Sequence, residues 1–323
     1  MDFQILISNL TNPTLLFFLL GIFAAVVKSD LEIPTPTIKF ISLYLLFSIG
    51  FKGGQELAHH AFTAEILWSM LFGLLIAFVI PLYVFFVLKR WFSTSDAGAV
   101  AAAYGSVSAV TFVAAGNFLE YQQMQFGGHM VAVMALMEAP AIIAGVILIM
   151  RYDKEKDEQT HTSGLGGIVR HSFTNSSVLM VMGSLIIGLI SDSKQAEGIK
   201  PFTTDIFKGF LAIFLLEMGM VTARRFAAFR QYGAFATIAG IILPALNGSL
   251  VAWSSILVTD DTGNRFIFAI LAASASYIAV PAAMRLAAPK ADPGLYIPMA
   301  LGITFPFNIT LGMPLFLGII QHT

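Results

Sequence analysis

Gly105-Ser-Val-Ser-Ala-Val-Thr-Phe112 and Ala273-Ser-Ala-Ser-Tyr-Ile-Ala-Val-Pro281 are the two stretches on which the reading of this chain turns. Each lies deep inside an apolar run long enough to cross a bilayer, and each interrupts that run with small hydroxyl residues. Shifting the first by 168 positions puts Ser106 on Ser274, Ser108 on Ser276 and Ala114-Ala115 on Ala282-Ala283. Polar interruptions at corresponding places in two halves of a membrane chain are the best pointer in sequence to the binding site of a transporter.

Composition sets the class. Hydrophobic residues make up 57% of the 323 positions and charged residues 11%, against about 25% charged in an ordinary soluble domain. With a mean hydropathy of +0.81, the chain is expected to be an all-α polytopic membrane protein. A net charge of −1 gives no basic field for nucleic acid. No cysteine is present, which removes disulfides, thiolate metal sites and cysteine nucleophiles. The start, Met1-Asp2-Phe3-Gln4, lacks the basic region and small-residue cleavage site of a signal peptide, so the first apolar segment is expected to be retained.

Apolar runs of about 20 residues, the length needed to span, fall near 12–28, 38–57, 65–89, 96–118, 130–150, 175–192, 205–223, 234–258, 264–287 and 295–320. The mixed-charge stretch 151–174 separates five expected spans (1–150) from five more (175–323). Matches between the halves keep a nearly constant offset, from 163 for Asn12 and Asn175 to 169 for Gly50 and Gly219. Gly73 with Gly240, Pro140 with Pro306 and Gly145 with Gly312 fall between. An odd number of spans per copy turns the second copy over, giving a 5+5 inverted repeat, an architecture common among secondary transporters.

Lys and Arg counts orient the chain. The segments after spans 1, 3, 5, 7 and 9 hold 13 of the 18 basic residues, leaving Lys52, Lys194, Lys200, Lys208 and Arg265 on the other side. The expectation is a multi-pass protein of the inner (plasma) membrane, with the 151–174 linker cytoplasmic and both termini outside. Interior prolines occur at Pro81, Pro140, Pro244, Pro281, Pro306 and Pro314, in spans 3, 5, 8, 9 and 10. Membrane helices keep proline where neighbouring protein or water satisfies the freed carbonyl. Spans 3–5 and 8–10 are therefore read as a core domain that carries substrate, and spans 1, 2, 6 and 7 as a smoother gate or scaffold domain.

If the helices unwind at the two stretches, the half-helices that follow present free amides and a positive dipole end, which suit an anion. The expected anion-binding positions are Gly105, Ser106, Val107, Ser108 and Thr111 with Ser274, Ala275 and Ser276. The competing explanation for Ser and Ala there is close helix packing. Glu138 lies well inside span 5, where a carboxylate is costly and needs a partner. With Asn308, Thr304, Ser108 and Ser276 it makes an oxygen-rich set suited to a hard cation such as Na⁺, and protonation would equally neutralise it. Glu217 is expected either to line the cytoplasmic vestibule or to pair with Arg224 or Arg225. His59, His60 and His129 are expected to be solvated, and Arg285 to reach the cytoplasmic interface. No HExxH motif and no serine with a histidine and an acid at membrane depth occur, so no enzyme is expected.

Ser274-Ala-Ser-Tyr-Ile-Ala-Val-Pro-Ala-Ala283, the Pro289-Lys-Ala-Asp-Pro293 loop and Ile303-Thr-Phe-Pro-Phe-Asn308 closely resemble the SbtA-type sodium-dependent bicarbonate transporters of cyanobacteria and other bacteria. The resemblance runs the length of the chain. It implies Na⁺/HCO₃⁻ symport by an elevator-like movement of core against gate, a homotrimer of ten-helix protomers, and a PII-like regulator as cytoplasmic partner. Na⁺ would be the coupling ion, with no organic cofactor. Glu138 stands where cyanobacterial members carry aspartate, the first interruption is less rich in glycine and serine, and the linker is short. The alternative is a transporter of the same architecture for another small anion or carboxylate, proton-coupled through Glu138.

Overall fold

The structure, a computed structural model, describes residues 12–58, 63–152, 176–229 and 232–323. All regular structure among the described residues is helical, as lipid requires of a chain whose backbone groups find no water. Among the described residues six helical stretches are long and apolar enough to cross a membrane: Ala64–Leu88, Thr94–Tyr121, His129–Tyr152, Pro201–Arg224, Gly233–Leu257 and Pro293–Gln321. The chain is thus a multi-pass membrane protein. His59, His60, Asn175, nearly all of the linker and the side chains of Arg225 and Arg285 lie outside the described residues.

In chain order the helices are α1 (Pro13–Val26), α2 (Thr35–Ala58), α3 (Ala64–Leu88), α4 (Thr94–Gly105), α5 (Ala109–Tyr121) and α6 (His129–Tyr152). After the linker come α7 (Ser176–Ile190), α8 (Phe207–Phe229), α9 (Gly233–Ser254), α10 (Thr262–Ala273), α11 (Ala279–Ala287) and α12 (Pro293–Gln321). Their starts follow capping chemistry: Ser93 Oγ accepts from Asp96 N at 3.1 Å to open α4, and Asp261 Oδ1 from Asn264 N at 2.7 Å to open α10. Inside α12, π-helical turns at Met299–Thr304 and Asn308–Gly312 flank Pro306. Thr310 donates to the Pro306 carbonyl at 2.7 Å.

Two packing layers frame the interruptions. In the first, α2 lies on α7 and α8 on α1. Glycine allows both approaches: a Cβ on Gly50 would stand 2.6 Å from the Val181 carbonyl oxygen, and one on Gly219 would collide with the Phe18 backbone. In the second, α3, α4 and α6 pack together, as do α9, α10 and α12. The two groups of three meet where Phe72 of α3 stands edge-on to Phe268 of α10 (ring centroids 5.1 Å apart), and Phe118 of α5 stacks on Phe266 of α10. Tyr83 of α3 is hydrogen-bonded to Asn247 of α9.

One expectation about a polar residue is corrected, and one basic residue is more deeply placed than its neighbours. His129, expected in solvent, is buried at the start of α6, because Gly127 just before it folds back against its ring. Arg265, counted with the basic residues opposite the linker, is buried in the first turn of α10. Its guanidinium donates to Ala252 O (3.0 Å), Ser255 Oγ (3.4 Å) and Thr323 Oγ1 (2.6 Å), which replace the water it loses.

Candidate functional site

The helix formed by 94–121 is interrupted at Ser106–Ser108, and that formed by 262–287 at Ser274–Ile278. Both leave the helix the same way: Ser106 (φ −81°, ψ 176°) and Ser274 (φ −78°, ψ 164°) turn the backbone extended. Gly105 sits at the first exit because its Cα abuts the Pro81 ring, so a Cβ there would overlap that ring.

The two interruptions are laced together. Ser108 N donates to Ser274 Oγ at 3.0 Å, and Ser276 N donates to the Ala103 carbonyl at 2.8 Å. Ser274 Oγ in turn donates its only proton to Leu271 O at 2.8 Å. Asn308 Nδ2 holds the Ala273 carbonyl at 2.8 Å. Thus Ala103 and Ala273, carbonyls freed at the ends of α4 and α10, are satisfied by protein.

The amides that open α5 and α11 are in a different state. Thr111 N reaches Ser108 Oγ at 3.2 Å and Val280 N reaches Ser276 Oγ at 3.5 Å. Ala109, Val110, Ile278 and Ala279 N–H have no acceptor among the described residues, which is the ordinary condition of a helix start awaiting a ligand or water. All four residues line one narrow cavity. Val107, Ser108, Ser276 and Tyr277 line it too, and so does Glu138. Ser42, Leu45 and Leu46 of α2 close its remaining wall.

Two buried polar atoms around the interruptions also lack a partner among the described residues, Ser106 Oγ and Asn308 Oδ1, while the Tyr277 hydroxyl lies beside Ser108. Such atoms are rare in folded proteins and ask for a cause. Glu138 is 8% exposed, and no protein ion pair neutralises it among the described residues.

Of the expected residues, Ser108, Ser276, Val107 and Glu138 therefore share the cavity. Thr111 and Ala275 are buried next to it without lining it, and Gly105 serves packing. Ser274 is committed to the lacing. Thr304 is held elsewhere, donating to Gly240 O at 2.7 Å with Tyr104 Oη 2.6 Å away. Asn308 reaches the second interruption but not the cavity wall. Glu217 is half-buried on α8 and forms no ion pair with Arg224. Sequence reasoning missed Tyr277, although an aromatic hydroxyl between serines at membrane depth was a usable signal. It also missed the α2 wall, whose leucines carry no mark that separates them from lipid-facing ones.

The arrangement offers hydrogen-bond donors and two positive helix ends to an anion, with a carboxylate in the same cavity available to a cation. The family model described as the Na⁺-dependent bicarbonate transporter superfamily matches residues 13–321. The chain belongs to that superfamily, and its role is transport. No curated protein matches it.

Proposed function

We propose that this protein imports bicarbonate with Na⁺ by secondary active symport, the anion lying between the two interruptions and the cation beside Glu138. One observation carries the reading: the residues at the starts of α5 and α11 whose amides have no protein acceptor line the same cavity as Glu138. An anion cannot be favourable at low dielectric next to a bare carboxylate, since like charges repel strongly there. A cation on Glu138 removes that repulsion and makes each ion a condition for the other. Ser108 and Ser276 hydroxyls contribute to both ions. Asn308 Oδ1, buried and unpartnered among the described residues, is a further acceptor near the second interruption, where Nδ2 of the same side chain holds the Ala273 carbonyl.

The proposed architecture is ten spans in a 5+5 inverted repeat. Support comes from the packing of α2 on α7 and of α8 on α1 through Gly50 and Gly219, which the repeat offset pairs. These four helices form the proposed gate, and α3–α6 with α9–α12 the core that moves past it in an elevator-like step. The basic-residue count supports a cytoplasmic linker and external termini in the inner membrane. The homotrimer and a PII-like cytoplasmic regulator are proposed on family resemblance.

Radiolabelled bicarbonate uptake into proteoliposomes, with and without an inward Na⁺ gradient, tests the reading. Uptake stimulated by the gradient is expected. Stimulation by a proton gradient and not by Na⁺ would replace sodium with a protonated Glu138, and no uptake under either gradient would refute bicarbonate symport.

A further inference from the structure

A second and larger cavity of about 1060 Å³ lies toward the ends of α2 and α5 at Ala58 and Tyr121. Lys52 and Glu56 of α2, with Asn117 and Glu120 of α5, give it polar walls. At its rim Lys208 of α8 pairs with Glu120 at 2.9 Å. This end of the molecule is opposite the end of α6 that leads into the linker, since α6 begins at His129, shortly after α5 ends.

The polar cavity and the narrow one holding Glu138 run along the same two helices. On α2 the narrow cavity is bounded by Ser42, Leu45 and Leu46, and the wide one begins at Ile49, one turn on. On α5 the succession is Val110, Val113, then Gly116 and Asn117. Among the described residues Val113 alone lines both cavities, and it is 3% exposed. Where the two cavities adjoin, their lining is apolar: Val113 of α5 is common to both, with Leu46 of α2 on the narrow side and Ile49 of α2 on the wide side. A charged species cannot rest in such a layer without losing its hydration to groups that return nothing.

We propose that the wide cavity is the entrance vestibule and that Val113, with Leu46 and Ile49, is the gate that separates it from the anion site and limits the size of anion admitted. This rests on the transport reading above. Opening requires only that α5 and α2 part by the width of one valine side chain, and those helices belong to the proposed core and gate respectively. The layer is thin, so one side chain governs passage.

The absence of native cysteine permits a direct test with single-cysteine variants in proteoliposomes. Lys52→Cys should react fastest with a small charged methanethiosulfonate reagent added from the vestibule side, Val113→Cys more slowly, and Ala109→Cys slowest. Adding a large group at Val113→Cys should reduce bicarbonate uptake by about tenfold or more, a barrier increase of ~1.4 kcal/mol. Val113→Ala should let acetate compete with bicarbonate where the wild type ignores it. Equal labelling at Val113→Cys and Ala109→Cys, unchanged uptake after modification, or an unaltered response to acetate would each overturn the gate. The labelling order needs no substrate, so it stands or falls separately from the bicarbonate assignment, which only wild-type uptake decides.

Discussion

The two interruptions occupy matching positions in the chain, yet they are finished differently. The first spans three residues, Ser106–Ser108, and α5 restarts under a genuine cap, Ser108 Oγ accepting from Thr111 N at 3.2 Å. The second spans five, Ser274–Ile278, and α11 begins at Ala279 behind Ile278, whose side chain caps nothing, Ser276 Oγ standing 3.5 Å from Val280 N. The first is also fixed from below by Gly105 against Pro81. One half of the site is therefore built by the protein, while the other depends more on what binds there. In a carrier this is a reasonable division, since a site that reports its own occupancy needs one wall that changes on binding.

The largest expected effect comes from closing the loose side. Ser276→Leu should abolish uptake while the protein still elutes as a folded species, because the side chain would fill the cavity between α5 and α11. Normal uptake in that variant would detach the second interruption from the transport path. Gly105→Val should act instead on folding, since its side chain meets the Pro81 ring, and overpacking of this kind costs about 1–3 kcal/mol. A thermal-unfolding midpoint equal to that of the wild type would show that α3 and α4 are not in the contact described.

Hydrogen exchange sharpens the contrast further. In the absence of substrates the amides of 277–280 should exchange faster than those of 109–112, and adding Na⁺ with bicarbonate should slow 277–280 more than 109–112. Equal protection on both sides would mean that the difference in capping has no energetic weight. The smallest expected effect is on the caps themselves. Ser108→Ala should lower stability by about 1 kcal/mol, the usual loss of a helix N-cap, and Ser276→Ala by less, measured by denaturation in detergent.

The interruptions were legible in sequence because serines stand out against an apolar background and because the offset of 168 repeats. Membrane class and the helical runs were legible for the same reason. The fate of each hydroxyl was not. Ser274 and Ser276 look equivalent in sequence, but only Ser274 has Leu271 O within reach, and that depends on how the last turn of α10 unwinds. Thr304 looked like a cation ligand beside Pro306, yet the π-helical turn of α12 delivers it to Gly240 and Tyr104. His129 was misplaced because a polar residue at a segment edge has no sequence mark for burial. Its cover comes from a backbone turn, as that of Arg265 comes from a neighbouring helix.

The central claim is that Glu138 and the two helix starts form one site in which cation and anion depend on each other. Bicarbonate uptake by Glu138→Gln, measured with and without a Na⁺ gradient, tests it most directly. The amide keeps the shape of the side chain and removes its charge, so the account predicts that the gradient no longer stimulates uptake. Sodium stimulation equal to that of the wild type would contradict it.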